Sequence, residues 1–273
     1  VISVKRGYLS SMNPRLRFGP ALLAALIGLV VTTFVAYSLV RERETAIEVA
    51  SLETQNFARV LEEHARQSLR RVRSTIVQAN AMLLQLRAAG IKDPEIIASR
   101  LRNLLPQDRI IQSFLVLDQN GDIVLSTRTD KSSRTDSWAK RDYFIPHIRG
   151  ADRELVFGAP EVSAGNHKWI LPISRRINNA SGKFAGVLVA MVHAEHFQPF
   201  YDSIDRRADG FVALFLSTGW AAVGSPDDQT LMGHNWADTR MFREHIPSWP
   251  TGTMRESLLG NGIEHIYSYR ALN

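Results

Sequence analysis

The chain has 273 residues, 45% of them hydrophobic and 22% charged, with no cysteine and a formal net charge of +6. This balance excludes a disordered chain, and the missing cysteines exclude a disulfide framework, thiolate metal sites and a cysteine nucleophile. The unbalanced charge lies early, in Lys5, Arg6, Arg15 and Arg17. Later arginines are interspersed with glutamates, so no basic face studded with aromatics offers itself to nucleic acid.

From Phe18 to Val40 there is no charged residue, and a helix needs ~20 apolar residues to cross the hydrocarbon core. Thr32, Thr33 and Ser38 can return their hydroxyls to the helix backbone, and Tyr8 and Tyr37 suit the two interfaces. A signal peptide would have an apolar core of only ~7–15 residues followed by small residues at a cleavage site. Here the run passes directly into Arg41-Glu42-Arg43-Glu44, so residues 18–40 read as an uncleaved transmembrane helix. The positive charge before it places residues 1–17 in the cytoplasm and everything after Arg41 outside the inner (plasma) membrane, in the periplasm or extracellular space.

Arg41 to Ala89 contains neither Pro nor Gly, and Leu61, Ala65, Leu69, Val72, Ile76, Ala79, Leu83 and Leu86 step by threes and fours along one stripe. The expected helix extends ~70 Å and stops at Gly90 in the C′ position. Asp93 caps a second helix that opens on Pro94 and runs to Leu105 before Pro106, completing a stalk over 41–105. Residues 106–200 then change to strand patterning. Ile110–Leu117 and Asp122–Thr127 flank an Asn120-Gly121 turn. A polar loop over Arg128–Ser137 and a helical piece over Trp138–Ile148 follow. His167–Ile177 and Lys183–His193 form a second hairpin, in which the unbroken apolar run Val187–Val192 reads as a strand covered on both faces.

His193–Arg207 reads as a connecting helix. Residues 201–273 then repeat the order, with strands at Gly210–Leu216 and Gly219–Val223, a helical piece at Asp238–His245, and strands at Thr251–Leu258 and Gly262–Tyr269. The expected fold class is α+β: a transmembrane helix, a long stalk helix and two tandem modules with antiparallel sheets. The second module is expected to be incomplete, because the sequence stops just after a strand and no second apolar span appears.

Four stretches carry a family resemblance: Asp118-Gln119-Asn120-Gly121-Asp122; Arg141-Asp142-Tyr143-Phe144; Trp169 to Arg176 with Gly182-Lys183-Phe184-Ala185-Gly186-Val187; and Ile263 to Arg270. With them, residues 41–273 resemble a double Cache (PAS-like) sensor domain, the extracytoplasmic input of many histidine kinases, diguanylate cyclases and chemoreceptors. The resemblance implies a membrane-distal, ligand-binding first module and a membrane-proximal second one. It also implies a cytoplasmic output, a diguanylate cyclase or a histidine kinase, that this sequence does not contain. The chain itself is therefore expected to be no enzyme and to need no cofactor. In agreement, it holds no phosphate-cradling glycine loop, no Gly-x-Ser-x-Gly elbow and no His-Glu-x-x-His helix.

The candidate ligand site is Trp138, Arg141, Tyr143 and Phe144, joined by Trp169 and His193. A guanidinium fork can hold a carboxylate through two parallel hydrogen bonds, with aromatics walling the pocket. The resemblance implies the same roles, since amino-acid-binding relatives carry an aromatic, an Arg and paired aromatics at comparable spacing. They also place an Asp for the amino group on the strand leaving the first module. Here that strand ends Met191-Val192-His193, which points to a carboxylate without an amine. The competing reading has Arg141 paired with Asp142 or a backbone carbonyl and Tyr143, Phe144 and Trp169 in the core; the sequence leaves both open.

Other constellations read as structural. His193 and His196 share a helix face but have no third metal ligand nearby, and Asp118-Asn120-Asp122 fails as a calcium loop because Gly121 falls too early and Thr129 stands at the twelfth position. Arg66, Arg70, Arg71 and Arg73 read as a solvated face. The expected partners are a small-molecule ligand, the membrane and a second copy of the chain, since the helical stripe is longer than one module can cover. The alternative is a membrane-anchored assembly protein without a ligand.

Overall fold

A computed structural model describes residues 18–128, 137–150, 154–163, 167–204, 210–226, 231–257 and 262–272. The expected cytoplasmic segment 1–17, most of the expected polar loop after Arg128 and the end of the expected connecting helix at 205–207 lie outside the described residues. The chain divides between Thr54 and Gln55 into two compact units, which are taken in turn.

The first unit holds the opening part of α1 (Phe18–Ala88). Its most apolar window has a mean hydropathy of 2.3, and none of it is buried. Leu22, Leu26, Leu29 and Phe34 are each between 58% and 70% exposed. Among the described residues α1 is the one helix long and apolar enough to cross a membrane. The expected hydroxyl contacts form: Thr32 and Thr33 each donate to the carbonyl four residues back, on Gly28 and Leu29, at 2.8 Å. At the end of the apolar run, Arg41 Nε donates to the Tyr37 phenol oxygen at 3.1 Å.

In the second unit α1 continues as an amphipathic helix. Ala65, Ser68, Val72, Ile76, Ala79 and Leu83 are buried, and their steps of three and four residues make the stripe that the pattern predicts. Gly90 ends the helix at φ 79°. The Gly90 and Ile91 amides donate to the carbonyls of Arg87 and Leu86, both at 3.0 Å, the paired bonds that satisfy a helix end through a left-handed C′ residue. α2 (Pro94–Arg102) begins as expected, with the Asp93 carboxylate accepting from the Glu95 amide at 2.8 Å; it ends three residues before the expected Leu105.

The core sheet has the order β2-β1-β6-β5-β3, with β4 also on β5, all antiparallel. Its strands are β1 (Ile111–Leu117), β2 (Ile123–Ser126), β3 (Val156–Phe157), β4 (Glu161–Val162), β5 (Trp169–Asn178) and β6 (Phe184–His193). Both long hairpins and the Asn120-Gly121 turn stand where the pattern places them. The Asp118 carboxylate accepts from the amides of Asn120 and Asp122 at 2.8 and 3.0 Å, so its role is to close that turn. β3 and β4 are absent from the sequence reading, because two residues cannot display a period.

The sheet is covered on both faces, as the apolar run in β6 requires. On one face Leu171, Ile173, Leu188, Ala190, Val192, Phe114 and Val116 pack with the α1 stripe and α2. On the other, which we term the loop face, Leu115, Leu117, Ile170, Val187, Val189 and Met191 lie beneath Tyr143, Phe144 and Val156. The expected helical piece forms as a 3-10 turn at Trp138–Lys140 and a single turn, α3 (Ile145–Ile148).

After β6, the expected connecting helix is instead a 3-10 turn, Ala194–His196, and the short α4 (Gln198–Asp202), with Pro199 in its first turn. The next strands are β7 (Val212–Phe215), β8 (Ala221–Ser225), β9 (Thr251–Glu256) and β10 (His265–Arg270), with α5 (Ile246–Ser248) preceding β9. They form two separate two-stranded sheets, β7-β8 and β10-β9, where the repeat pattern predicts one sheet like the first. The strands themselves are legible, but β9 and β10 are mostly half-exposed, and without a strict buried face nothing in the sequence specifies how hairpins align.

The β9–β10 hairpin is fastened to α1. Glu62 accepts from Arg66 at 2.6 Å and also from Arg270 on β10, and Gln55 Nε2 donates to Thr253 on β9 at 3.0 Å. Arg270 and Arg66 hold the Glu62 carboxyl below its ordinary range. Arg71 and Arg73, from the arginine-rich turn, pair with Asp108 and Glu154, so that turn ties α1 to the domain.

Candidate functional site on the loop face

Strand register decides which side chains share the loop face. Ser174 of β5 pairs with Val189 of β6, Pro172 with Met191, and Ile170 with His193, while Ser113 of β1 pairs with Met191. Ser113, Met191, Pro172, Ile170 and His193 therefore lie side by side on one face, at the end where β1 starts and β6 finishes. β4 extends the row, because Glu161 pairs with Ile170.

Of the predicted residues in the layer over this face, Arg141 reaches the row through Glu161, and the Tyr143 carbonyl accepts from Ser174 of β5. The Trp138 amide donates to the Gly121 carbonyl and Phe144 packs on Phe184, toward the other end of the strands. Tyr143 and Phe144 are fully buried: the Phe144 ring meets Phe184 edge-on at 6.0 Å, and Tyr143 meets Trp138 edge-on at 6.2 Å. Tyr143 also lies against Gly158, where any Cβ would come within 2.3 Å of its ring. Arg141 lies over the Trp138 ring, its guanidinium carbon 5.3 Å from the centroid, and donates to Glu161 at 3.1 Å. Asp142 accepts from the Ala159 amide at 2.7 Å, which draws the segment before β4 over the site. His193 joins them through the sheet. Trp169 does not: it lies on the opposite face of β5 with Leu171, touching the core and Gly233.

The polar groups here are poorly satisfied. The hydroxyls of Ser113, Tyr143 and Ser163 and the Nδ1 of His193 are all buried without a hydrogen-bond partner among the described residues. Ser113, Tyr143 and Ser163 are between 1% and 3% exposed. Each unpaired buried group costs about 1–3 kcal/mol, and native proteins leave few of them. Burial raises the Tyr143 phenol above its ordinary range, reinforced by Glu161. Burial likewise raises the Glu161 carboxyl against the opposing pull of Arg141, and lowers His193. The site therefore offers neutral hydroxyls, an unprotonated imidazole and one guanidinium at neutral pH.

Among the described residues the Arg141 side chain pairs with neither Asp142 nor a backbone carbonyl; its partner is Glu161, a residue the sequence reading passes over because β4 gives no periodic signal. Ser113 is different: with Gln112 it interrupts the apolar stretch Ile110–Leu117, and that break in pattern is visible in the sequence. A concavity of about 250 Å³ lies apart from these residues, at Trp169, Lys168, Glu195, Gln198, Val223 and Met232, and Lys168 and Glu195, both of its lining, form an ion pair.

Comparison with known proteins agrees with this architecture. Residues 194–273 match the family model dCache_1_like, a histidine kinase sensor domain. No curated protein matches the chain. Among solved structures, the extracellular domain of rpHK1S-Z16, described as a histidine kinase, superposes with a TM-score of 0.72 at 23% identity, over 84% of this chain and 92% of that one. The ligand-binding domain of Mlp24 with asparagine gives 0.56 at 15% identity, over 82% and 87%. The ligand-binding domain of the Pseudomonas fluorescens chemoreceptor CtaA with L-isoleucine gives 0.52 at 16%, over 82% and 87%. The fold is that of extracellular sensor domains of kinases and chemoreceptors, and the resemblance to a double Cache sensor holds.

Proposed function

We propose that the chain is the extracytoplasmic, ligand-sensing input of a membrane-anchored signalling receptor. The observation that carries this reading is the set of unsatisfied, buried groups in and over the loop face, the Ser113 and Tyr143 hydroxyls and the His193 imidazole, on a fold shared with extracellular sensor domains. In this reading a small carboxylate enters the loop face. Arg141 turns from Glu161 to grip it, Tyr143 and Ser113 donate their free hydroxyls to it, and Trp138 covers it. Residues 106–200 form the membrane-distal, ligand-binding module and residues 201–273 the membrane-proximal one.

Ligand binding shifts the loop layer against the sheet. The shift reaches α1 through the stripe packed on the other face and through the Arg270–Glu62 contact, and α1 runs on into the apolar span. A cyclase or histidine kinase would receive it in the cytoplasm. A ligand moves such an equilibrium only by binding the two arrangements unequally, and in this reading the partner of Arg141 provides that inequality: Glu161 is paired in one state and released in the other.

The test is a thermal-shift screen of the full chain in nanodiscs against organic acids, amines and purines. An organic acid is expected to raise the unfolding temperature. Arg141→Ala should weaken its binding by about 10–100-fold, the equivalent of one charge-assisted hydrogen bond. Stabilisation by amines or purines alone, or an acid response unaltered by Arg141→Ala, contradicts the assignment.

We also propose a homodimer through α1. Val60 is 51% exposed although it lies on the otherwise amphipathic stretch, and a second copy would cover it. Sedimentation should show a dimer for the chain in detergent; a strict monomer with and without bound acid would remove this element.

A further inference from the structure

We propose that His64 is a proton-binding site, giving the receptor a second input that acts on α1 directly and is separate from the loop face. His64 stands on the face of α1 that meets the segment joining β6 to the second set of strands. There it enters an aromatic cage: it stacks on Phe200 with centroids 3.9 Å apart and planes 15° from parallel, and meets Phe197 and Tyr201 edge-on at 6.0 and 6.3 Å. Phe197 and Tyr201 are 1% exposed. The Nδ1 of His64 is itself buried with no partner among the described residues. An imidazole is thus used as an apolar plate, a role that phenylalanine could fill without an orphaned nitrogen. What imidazole adds is the capacity to take up a proton near neutrality.

The surroundings oppose that proton. Burial is the largest influence and lowers the basicity of His64; His196, from the 3-10 turn, and Arg71, from α1, act in the same direction. From α4 the facing polar group is the Tyr201 phenol, which burial keeps un-ionised. The neighbouring carboxylates are engaged elsewhere, Glu195 by Lys168 and Asp202 by Ser225 and Gln198.

Because the caged imidazole binds a proton less readily than a free one, acid favours the arrangement in which His64 has left the cage. The docking energy is fully present above the ordinary imidazole value and is lost as pH falls below it. The attraction of the Phe200 face for a charged ring is outweighed by burial, with His196 and Arg71 opposing the proton as well. Since this contact joins α1 to the segment between the two sets of strands, proton uptake loosens the helix that continues into the apolar span.

The chain contains no cysteine, so a pair of spin labels can be placed cleanly. Glu63→Cys on α1 and Ser203→Cys after α4 are both exposed and would report the α1–α4 separation in the full chain in nanodiscs, titrated between about pH 8 and pH 5. The distance distribution is expected to lengthen and broaden in acid. With His64→Phe, which keeps the plate and removes the proton, it should stay constant. With His196→Gln, which removes one opposing charge, the midpoint should move to higher pH. A distribution that ignores pH in the unaltered cage, or an acid response that persists in His64→Phe, overturns the proposal. Should His64→Phe fail to fold, the His196→Gln midpoint decides: unmoved, it overturns the proposal too.

Discussion

Gly186→Ala will unfold far more easily than the parent chain, with an expected loss of about 3–5 kcal/mol, summing overpacking with backbone strain. Gly186 sits at the start of β6, opposite Ile177, at φ 136°, a conformation that side-chain-bearing residues rarely adopt. A Cβ there would lie 2.1 Å from the Leu117 carbonyl oxygen and 3.2 Å from its carbon. Those atoms are backbone of β1, and moving them breaks the β1–β6 pairing at the centre of the sheet. Gly182 provides the control. It also has a positive φ, 77°, but nothing lies within 4 Å of its Cβ position, so Gly182→Ala should cost only the conformational penalty of about 1–2 kcal/mol. Urea unfolding of the two variants side by side checks the difference; equal midpoints would mean that the close approach of β6 to Leu117 is not as described.

The second large effect is a loss of stability in acid caused by His147. Its ring is completely buried, with Nε2 2.8 Å from the Ser174 hydroxyl. Ser174 donates in turn to the Tyr143 carbonyl at 2.7 Å, so Nε2 carries the hydrogen and Nδ1 is a bare acceptor with no partner among the described residues. Burial, with a smaller contribution from Arg176, pushes the pKa of His147 down to about 4. The unfolded chain therefore takes up this proton at higher pH than the folded one. The stability His147 contributes is complete above about pH 6.5 and drains away as pH falls toward 4, by about 3 kcal/mol in all.

His147→Gln should flatten the pH dependence of urea unfolding across that window; a slope shared by parent and variant would place the titrating group elsewhere. The same chain of bonds fixes the Tyr143 backbone. His147 is thus the residue through which the core holds the loop-face site in position, and acid is expected to weaken carboxylate binding along with the fold.

Much of the architecture is legible in the residues because burial imposes a period. The stripe from Leu61 to Leu86, the Gly90 stop, the Asp93 cap and the two long hairpins each follow from a local rule that tertiary packing does not override. The candidate site is legible only in part. Arg141-Asp142-Tyr143-Phe144 announces a fork beside aromatics, but adjacent residues in a tight turn have no periodicity to say which is covered, and both aromatics are buried. Glu161 and Val162 are too short a strand to read, although Glu161 is the partner that sets the electrostatics of Arg141. Trp169 reads as part of the site because a single strand does not reveal which sheet face carries function. The second set of strands shows the same limit. Its hairpins are written locally, while their assembly into two small sheets depends on contacts far apart in sequence.

The account depends most on the sidedness of the domain beyond the apolar helix. Lys92 is exposed in the turn between α1 and α2, and with no native cysteine a Lys92→Cys chain carries one thiol. Intact cells expressing it should react with a membrane-impermeant maleimide from outside, with the labelled protein remaining in the membrane fraction after carbonate extraction. Labelling that requires permeabilised cells, or a labelled chain recovered free of lipid, would contradict a tethered sensor facing outward.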